Sequence, residues 1–472
     1  MKRLDAVWKF VVACMAAILF AGCEKPEVTE VGQEPQAPVI DRLLLKANKF
    51  VYDYTKSAYL WEKHIPTGIT YTSADNPEAL LDMMMYKELD SWSYITDNSQ
   101  DALDEFQGVS TTLGYSLAFG RFVNVPDQYF AVVRYVYPGS PAEEAGLKRG
   151  DYILSLNGAT LDQYNFLQLY YGGTITIGMG IVTDEGSIGL SGRNITLTAV
   201  KMYEDPVVDY RVIEAGGKKV GYLFYTGFYE ESHQKLVEVF QYFKDNGISD
   251  LILDLRYNLG GNADTPPFLA SMIAPQKIVR KRSVFLKETW NDAYMEYFSR
   301  MGLDTNSYFN PDIPVNLDLS RVYVLTTGST ASASEAVISG LMPYMDVIKV
   351  GSSSYGKYCG AALLSPKDDN GNADKEIENW LLTLVIYKFV NVNSFTEFKD
   401  GIAPDYAVAD NGLLSGIQLG DTADPLIAKA LELITGEPGT KRTGGVLPSG
   451  LEMVNHMGEN AVRGGMKRLF YF

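Results

Sequence analysis

The sequence predicts a multidomain α/β protein, and three changes of pattern along it carry that prediction. Apolar residues first recur at helical spacing, in two stretches before about residue 105. Short β-type runs bounded by turn residues follow from about Gly108. From Lys218 onward, buried-type strands alternate with helical patterns, as in a layered α/β core. At 472 residues, and roughly 100–200 residues per domain, the chain has room for about three domains, each with its own core.

In the first stretch Leu43, Leu44, Ala47, Phe50, Val51 and Tyr54 share one helical face. The second stretch opens at Asn76-Pro77, a cap followed by proline at the first helical position. It runs through Leu80, Leu81, Met84 and Met85, where the methionines read as core filling. Residues 40–105 are therefore expected to be a small helical N-terminal region. The β-type runs include 129–136 and 152–156, the latter leading into the turn Asn157-Gly158. Between them Ser140-Pro141 fits the start of a short helix, and Gly146 its stop. The Gly-rich stretch 172–192 reads as an elaborated hairpin. Further on, strands at 220–225, 251–255, 322–325 and 347–350 alternate with helices ending at Asn246-Gly247 and near Met342. A last helix runs from Asp424-Pro425 to Gly436. The remainder, 437–472, is rich in Gly, Lys and Arg and is expected to be a loose tail.

Composition narrows the functions. A formal charge of −17 argues against a nucleic-acid partner, since phosphate binding needs a basic surface. The 31 Tyr and 21 Phe are an aromatic load that a disordered chain does not carry. Cys14, Cys23 and Cys359 are too few and too scattered for a disulfide framework or a zinc site. His64, His233 and His456 stand in no catalytic or metal-ligand spacing. With no such cluster and no P-loop, no metal or nucleotide cofactor is implied.

The N-terminus reads as an address. Lys2 and Arg3 precede an apolar run, 11–20, that is shorter than the roughly 20 residues of a membrane span. Leu19-Phe20-Ala21-Gly22-Cys23 resembles the lipobox of bacterial lipoproteins. That resemblance implies a signal peptide over 1–22, lipidation of Cys23, and an exported protein tethered to a membrane of the cell envelope, facing the periplasm or the surface. Residues 23–39, rich in Glu, Gln and Pro, read as the tether.

Two groups of motifs carry the chemistry. The segment 138–158, with Gly-Ser-Pro-Ala-Glu-Glu-Ala-Gly-Leu-Lys-Arg-Gly-Asp at 139–151, resembles the core of a PDZ domain. Thr112-Leu113-Gly114-Tyr115 falls where that family places its carboxylate-binding loop, with Thr112 in place of the first glycine. Leu113, Gly114 and Tyr115 are thus candidate peptide-binding residues. Such a loop presents backbone N–H groups to a terminal carboxylate while the next strand accepts the peptide at its edge. The second group begins at Thr326-Thr327-Gly328-Ser329-Thr330-Ala331-Ser332-Ala333-Ser334-Glu335, after a strand and before a helix, with Ser354-Tyr355-Gly356-Lys357 downstream. Asp254-Leu255-Arg256-Tyr257-Asn258-Leu259-Gly260-Gly261 and Gly401-Ile402-Ala403-Pro404-Asp405 complete the set.

Over roughly residues 40–436 the chain resembles the carboxyl-terminal processing, or tail-specific, protease family. The resemblance implies a helical N-terminal part, a PDZ domain over 108–205 and a crotonase-like α/β catalytic core over 206–436. It implies Ser332 as nucleophile and Lys357 as base. The two lie 25 residues apart, the family spacing, which selects Ser332 over Ser329 and Ser334. A serine hydroxyl needs a base, and a lysine can serve when burial keeps its amine neutral; Tyr355 and the strand after it are expected to bury Lys357. Ala333, at a helix start where N–H groups are free, and Gly260-Gly261 are the candidate oxyanion donors. Ser332-x-x-Glu335 also fits a capping box, with Glu335 fixing the turn rather than reacting. Arg256 and Asn258 read as loop-shaping residues. The family's glutamine four residues after the lysine is replaced here by Ala361, leaving open what orients Lys357. Cys359, with no nearby histidine, reads as a small buried residue.

The sequence thus predicts an exported Ser-Lys endopeptidase acting on proteins or peptides with accessible C-termini. A catalytically inactive peptide-binding lipoprotein is the alternative, and a Ser-Lys hydrolase of non-peptide acyl groups a third reading.

Overall fold

An apolar strand buried on both faces belongs in a parallel sheet covered by helices, and Asp250–Asp254 is buried at every position. The computed structural model describes residues 41–437 and 450–454, apart from Pro126, Gly172, Asp184 and Glu185. In it this strand lies within a six-stranded sheet. The order is Val207–Ala215, Lys218–Tyr225, Asp250–Asp254, Arg321–Thr326, Asp346–Gly351 and Tyr406–Ala407. The first pair is an antiparallel hairpin, and every later pair is parallel. Parallel neighbours need a crossover, supplied by the helices His233–Asn246 and Ala333–Leu341. Gly247, left-handed at φ 67°, ends the first of these. The helix Pro425–Thr435, capped by Asp424, packs Leu426, Ile427, Ala430 and Leu431 with Tyr222, Phe224, Ile252, Tyr323 and Leu325.

The chain divides into two compact units. One holds the described residues up to Ala102, with Lys287–Asn306 and Cys359–Phe389. Its helices Arg42–Ala58 and Pro77–Met84 are the two the apolar spacing predicts, capped by Asp41 and Asn76. Phe50, Val51, Tyr54, Leu80, Met84 and Met85 enter one core with Trp290, Tyr294, Phe298, Leu382, Leu384 and Val385. The strand Tyr94–Thr96 pairs antiparallel with Leu381–Val390. The helical N-terminal region therefore does not close its own core. Two short helices bury too little apolar surface alone, and segments from much later in the chain complete it.

The other unit holds Leu103–Leu286, Ser307–Tyr358 and the described residues from Val390 onward. Besides the six-stranded sheet it contains an antiparallel one. Leu451–Met453, Tyr115–Phe122, Tyr129–Val136, Tyr152–Leu156, Thr174–Val182 and Ile188–Thr198 follow one another in space. Ser140 caps the short helix Pro141–Glu144, and Gly146 ends the turn at φ 74°. The Gly-rich stretch forms the Thr174–Val182 and Ile188–Thr198 hairpin. Leu117, Phe119, Ala131, Val133 and Ile153 face one cluster, and Ala118, Phe130, Val132 and Tyr152 face a second.

One expectation is corrected here. Of the presumed loose tail, residues 451–453 form a strand antiparallel to Gly120–Phe122. A three-residue strand after a Gly-rich run is too short to show a periodicity. The proposed signal peptide, Cys23 and the tether lie outside the described residues.

A buried ion cluster joins the two sheets of this unit. Arg256, fully buried, donates to Asp254 at 2.9 Å, to Asp424 at 2.8 and 3.0 Å, and to Asp410 at 3.0 Å. Arg149, from the segment after the Pro141–Glu144 helix, donates to Asp410 at 2.9 Å and to the Tyr257 hydroxyl at 2.7 Å. Burial pushes the Asp424 carboxyl up, but the Arg256 charge and hydrogen bonds, with Arg149, hold it below its ordinary value. Removing one charge from such a cluster leaves another uncompensated. Asp424→Asn is therefore expected to cost about 3 kcal/mol of stability, read as a lowered urea midpoint. An unchanged midpoint would show that the cluster does not hold this unit together.

Candidate active site

Three neighbouring parallel strands end side by side, and each delivers one motif at its carboxyl end, where α/β sheets place their sites. Asp250–Asp254 leads into the Arg256–Gly261 loop. Arg321–Thr326 leads into Ser332, and Asp346–Gly351 into Lys357.

Ser332 immediately precedes the helix Ala333–Leu341 with φ 56° and ψ −109°. A non-glycine residue rarely adopts that conformation, and it persists only where its surroundings hold it. Here Ala331 N–H donates to Asn258 O at 3.0 Å, and Ala336 N–H to Ser332 O at 2.8 Å. Ser332 N–H donates to Glu335 Oε2 at 2.8 Å. Of the three candidate serines only Ser332 is not buried; Ser334 is enclosed, and its hydroxyl donates to Asn258 O at 3.0 Å.

Glu335 does more than cap its own helix. Its fully buried carboxylate accepts four hydrogen bonds. Besides Ser332 N–H, it takes Ser354 Oγ at 2.5 Å, Gly356 N–H at 2.6 Å and Lys357 N–H at 2.9 Å. One oxygen, Oε2, is thus shared by the main-chain N–H groups of Ser332 and Lys357. Tyr355 N–H adds a second link, donating to Thr330 O at 2.9 Å. The Gly401 motif backs the lysine loop: Ser354 N–H donates to Ile402 O at 3.1 Å, and Ile402 N–H to Ser354 Oγ at 2.7 Å. Lys357 itself is half-buried, less enclosed than the sequence leads one to expect. The strand that follows it, Cys359–Leu364, contributes its buried Cys359 to the core of the other unit.

The oxyanion candidates separate. Gly260 has φ 104°, and a Cβ there would lie 2.8 Å from Ser332 Cβ and 3.0 Å from Ala333 N. Only glycine fits against Ser332. Gly260 N–H, however, donates to Asn258 Oδ1 at 2.9 Å. Gly261 N–H and Ala333 N–H make no hydrogen bond among the described residues. Asn258, fully buried, also donates Nδ2 to Tyr225 O at 2.9 Å. Arg256 is committed to its carboxylates, and its carbonyl accepts from the Thr327 hydroxyl. Both residues shape the loop from inside it.

At the other candidate site Leu113 and Tyr115 are buried core residues. The Tyr115 hydroxyl donates to Leu169 O at 2.7 Å. Gly114, at φ 85°, donates its N–H to Thr112 Oγ1 at 2.9 Å. The hydroxyl that replaces the first glycine thus occupies one of the loop's own donors.

The sequence missed two things. Glu335 was read only as a cap, because its partners Ser354, Gly356 and Lys357 lie about 20 residues away in sequence. The Arg149–Asp410–Arg256 cluster was missed because its members belong to segments that share no local pattern; Arg149 inside the PDZ-like motif was its one visible signal.

Burial pushes the Glu335 carboxyl up, and its four donors only partly offset that. Protonation therefore begins at a pH above the ordinary carboxylate value of about 4.3. It converts an all-acceptor group into one bearing a donor. Glu335→Gln is expected to be weakly active at every pH, and the Glu335 carboxyl of the Ser332→Ala protein to titrate above the ordinary carboxylate value when followed by NMR. A midpoint at or below about 4.3 would remove Glu335 from this role. Gly260→Ala, whose Cβ would press on Ser332, is expected to push the loop and its neighbouring N–H groups out of place and to lower kcat by about a hundredfold, with folding kept by circular dichroism.

Comparison with known proteins agrees with this architecture. Residues 219–408 match the model of peptidase family S41, residues 46–94 that of the peptidase S41 N-terminal domain, and residues 132–168 that of a PDZ domain. A carboxyl-terminal-processing protease of Synechocystis sp. is 24% identical over 331 residues, 69% of this chain and 70% of the relative. The carboxy-terminal processing protease CtpB of Bacillus subtilis is 27% identical over 318 residues, 65% of this chain and 56% of the relative. A solved structure from Bacteroides fragilis, described as an S41 protease, matches with a TM-score of 0.68 at 27% identity. The match covers 82% of this chain and 97% of that one. Residues 219–408 are therefore similar to peptidase family S41, the segments before them to the S41 N-terminal domain and to a PDZ domain, and the relatives named here are carboxyl-terminal-processing proteases.

Proposed function

We propose that the protein is an exported serine endopeptidase that captures C-terminal peptide segments through its PDZ domain and cleaves them with a Ser332–Lys357 dyad. The observation that carries this reading is the shared Glu335 oxygen, which fixes the backbones of Ser332 and Lys357 together. Nothing in a purely structural helix cap requires the second half of that arrangement.

The chemistry follows from the positions. Lys357 Nζ, in its neutral form, takes the proton of Ser332 Oγ as the oxygen attacks the scissile carbonyl carbon. The oxyanion is met by Ala333 N–H at the helix start and by Gly261 N–H. Gly260 N–H stays on Asn258 and keeps the loop rigid. The lysine returns its proton to the leaving amine, and an acyl-enzyme on Ser332 remains. Water, deprotonated by the same lysine, attacks the acyl carbon, and the lysine returns that proton to Ser332 Oγ as the carboxylic acid product leaves. Ala361 stands where the family has its glutamine, and the Lys357 backbone, held by Glu335, helps set where its amine lies. The lipobox-like segment ending at Cys23 supports a lipid-anchored location in a bacterial cell envelope.

A fluorophosphonate probe tests the nucleophile. The wild type is expected to be labelled on Ser332, and Ser332→Ala to lose the label and at least about a thousandfold in kcat. Lys357→Ala is expected to lose as much. Peptides with a free C-terminus should be cleaved in preference to amidated ones. Labelling that persists in Ser332→Ala, or peptide binding with no labelling of the wild type, would overturn the dyad in favour of an inactive peptide-binding lipoprotein.

A further inference from the structure

The antiparallel sheet contains a strand that the peptidase reading does not use. Residues 451–453 lie antiparallel on the outer edge of Tyr115–Phe122, with Leu451 opposite Phe122, Glu452 opposite Arg121 and Met453 opposite Gly120. Val454 N–H donates to Phe119 O at 2.9 Å, and Val123 N–H donates to Gly450 O at 2.9 Å. Arg121 Nε donates to Glu452 Oε2 at 2.8 Å. Leu451 and Met453 pack onto the cluster of Ala118, Phe130 and Val132.

This edge follows directly on the Leu113-Gly114-Tyr115 loop. A peptide whose carboxylate meets that loop must run antiparallel to the strand, with its C-terminal end toward Tyr115. Residues 451–454 run in that same direction. Ahead of them the edge is also closed. Leu117 N–H donates to the Tyr170 hydroxyl at 2.8 Å, and that hydroxyl donates back to Leu117 O at 3.3 Å. The loop's Gly114 N–H is held by Thr112. From Leu117 to Val123, the edge a peptide would need is hydrogen-bonded to the chain itself.

We propose that residues 450–454 are a resident occupant of the PDZ acceptor edge, and that a substrate peptide must displace them to bind. The inference rests on the peptide-binding reading of the PDZ domain. The occupant is a strand of the same polypeptide, so it competes at a high effective concentration. It holds through few hydrogen bonds and a half-exposed ion pair between Arg121 and Glu452. Such a contact is weak enough to be displaced. The occupant also indicates the displacing peptide: extended, apolar at alternate positions, with an acidic residue facing Arg121.

The test uses the full-length Ser332→Ala protein, which binds without cleaving. A fluorescent decapeptide with a free apolar C-terminus is titrated against three forms: the parent, a truncation ending at Gly436, and Val454→Pro, which lacks the N–H given to Phe119. Both variants are expected to bind about tenfold more tightly. A synthetic peptide of residues 446–460 added to the truncated form is expected to compete. Val454→Pro, a single change on an edge strand, keeps the test readable if the truncation fails to fold. Unchanged or weaker affinity in Val454→Pro overturns the proposal, whatever the truncation does. Absence of binding by all three forms overturns the peptide-binding reading and the proposal with it.

Discussion

The site depends on one buried carboxylate. Glu335 accepts from the backbone of Ser332 and from the backbone of the lysine loop, and it has no solvent to share the charge with. A buried carboxylate is costly unless its lone pairs are filled. Four donors fill them, so the cost is offset only when both loops are in place. The same dependence works in reverse. Ser332 sits in a backbone conformation that an isolated turn would abandon. Its N–H bond to Glu335 and the helix behind it keep it there. Strain at Ser332 and burial of the carboxylate are thus two sides of one arrangement.

The next layer outward is also electrostatic. The Arg256–Gly261 loop carries the glycines that flank Ser332, and it is fixed below by Arg256 in a cage of Asp254, Asp410 and Asp424. Arg149 reaches the same cage from the PDZ side of the unit and lies against the Tyr257 ring, 5.5 Å from its centroid. Two buried arginines against three carboxylates leave little freedom for the loop to slide, because any shift unpairs a charge in a low-dielectric interior. The position of Gly260 against Ser332 is therefore set from both sides, by charge below and by the Asn258 side chain within the loop.

How much of this was legible depended on how local each signal was. The helices at Asp41 and Asn76 announce themselves, because a cap and an apolar face lie within one segment. The strands 250–254 and 321–326 are equally plain as short apolar runs. A motif and its spacing single out Ser332 and Lys357, and the geometry adds that Ser329 and Ser334 are buried while Ser332 is not. What stayed hidden was long-range. Trp290 and Val385 complete the core of the N-terminal helices, yet both stand in the middle of what reads as the catalytic segment. What separates Gly260 from Gly261 is one side-chain acceptor, Asn258 Oδ1, which holds the Gly260 N–H and which no glycine pair reveals.

The edge of the Tyr115–Phe122 strand presents the same problem in another form. An exposed strand edge is a template for any extended chain, and proteins that must stay soluble cover it. A peptide-accepting domain cannot cover it permanently without losing its use. A short strand held by a few bonds, with a single tyrosine hydroxyl spanning Leu117, satisfies both demands. It closes the edge against unwanted pairing, yet each contact can be replaced one for one by an incoming peptide: the Val454 N–H by a backbone N–H, Leu451 and Met453 by apolar side chains, Glu452 by an acidic one. The selectivity of such an edge comes less from what it attracts than from what it must give up. A peptide that cannot match the resident strand in length and pattern leaves polar groups of Phe119 and Val123 unpaired, and an unmade hydrogen bond costs more than a made one contributes.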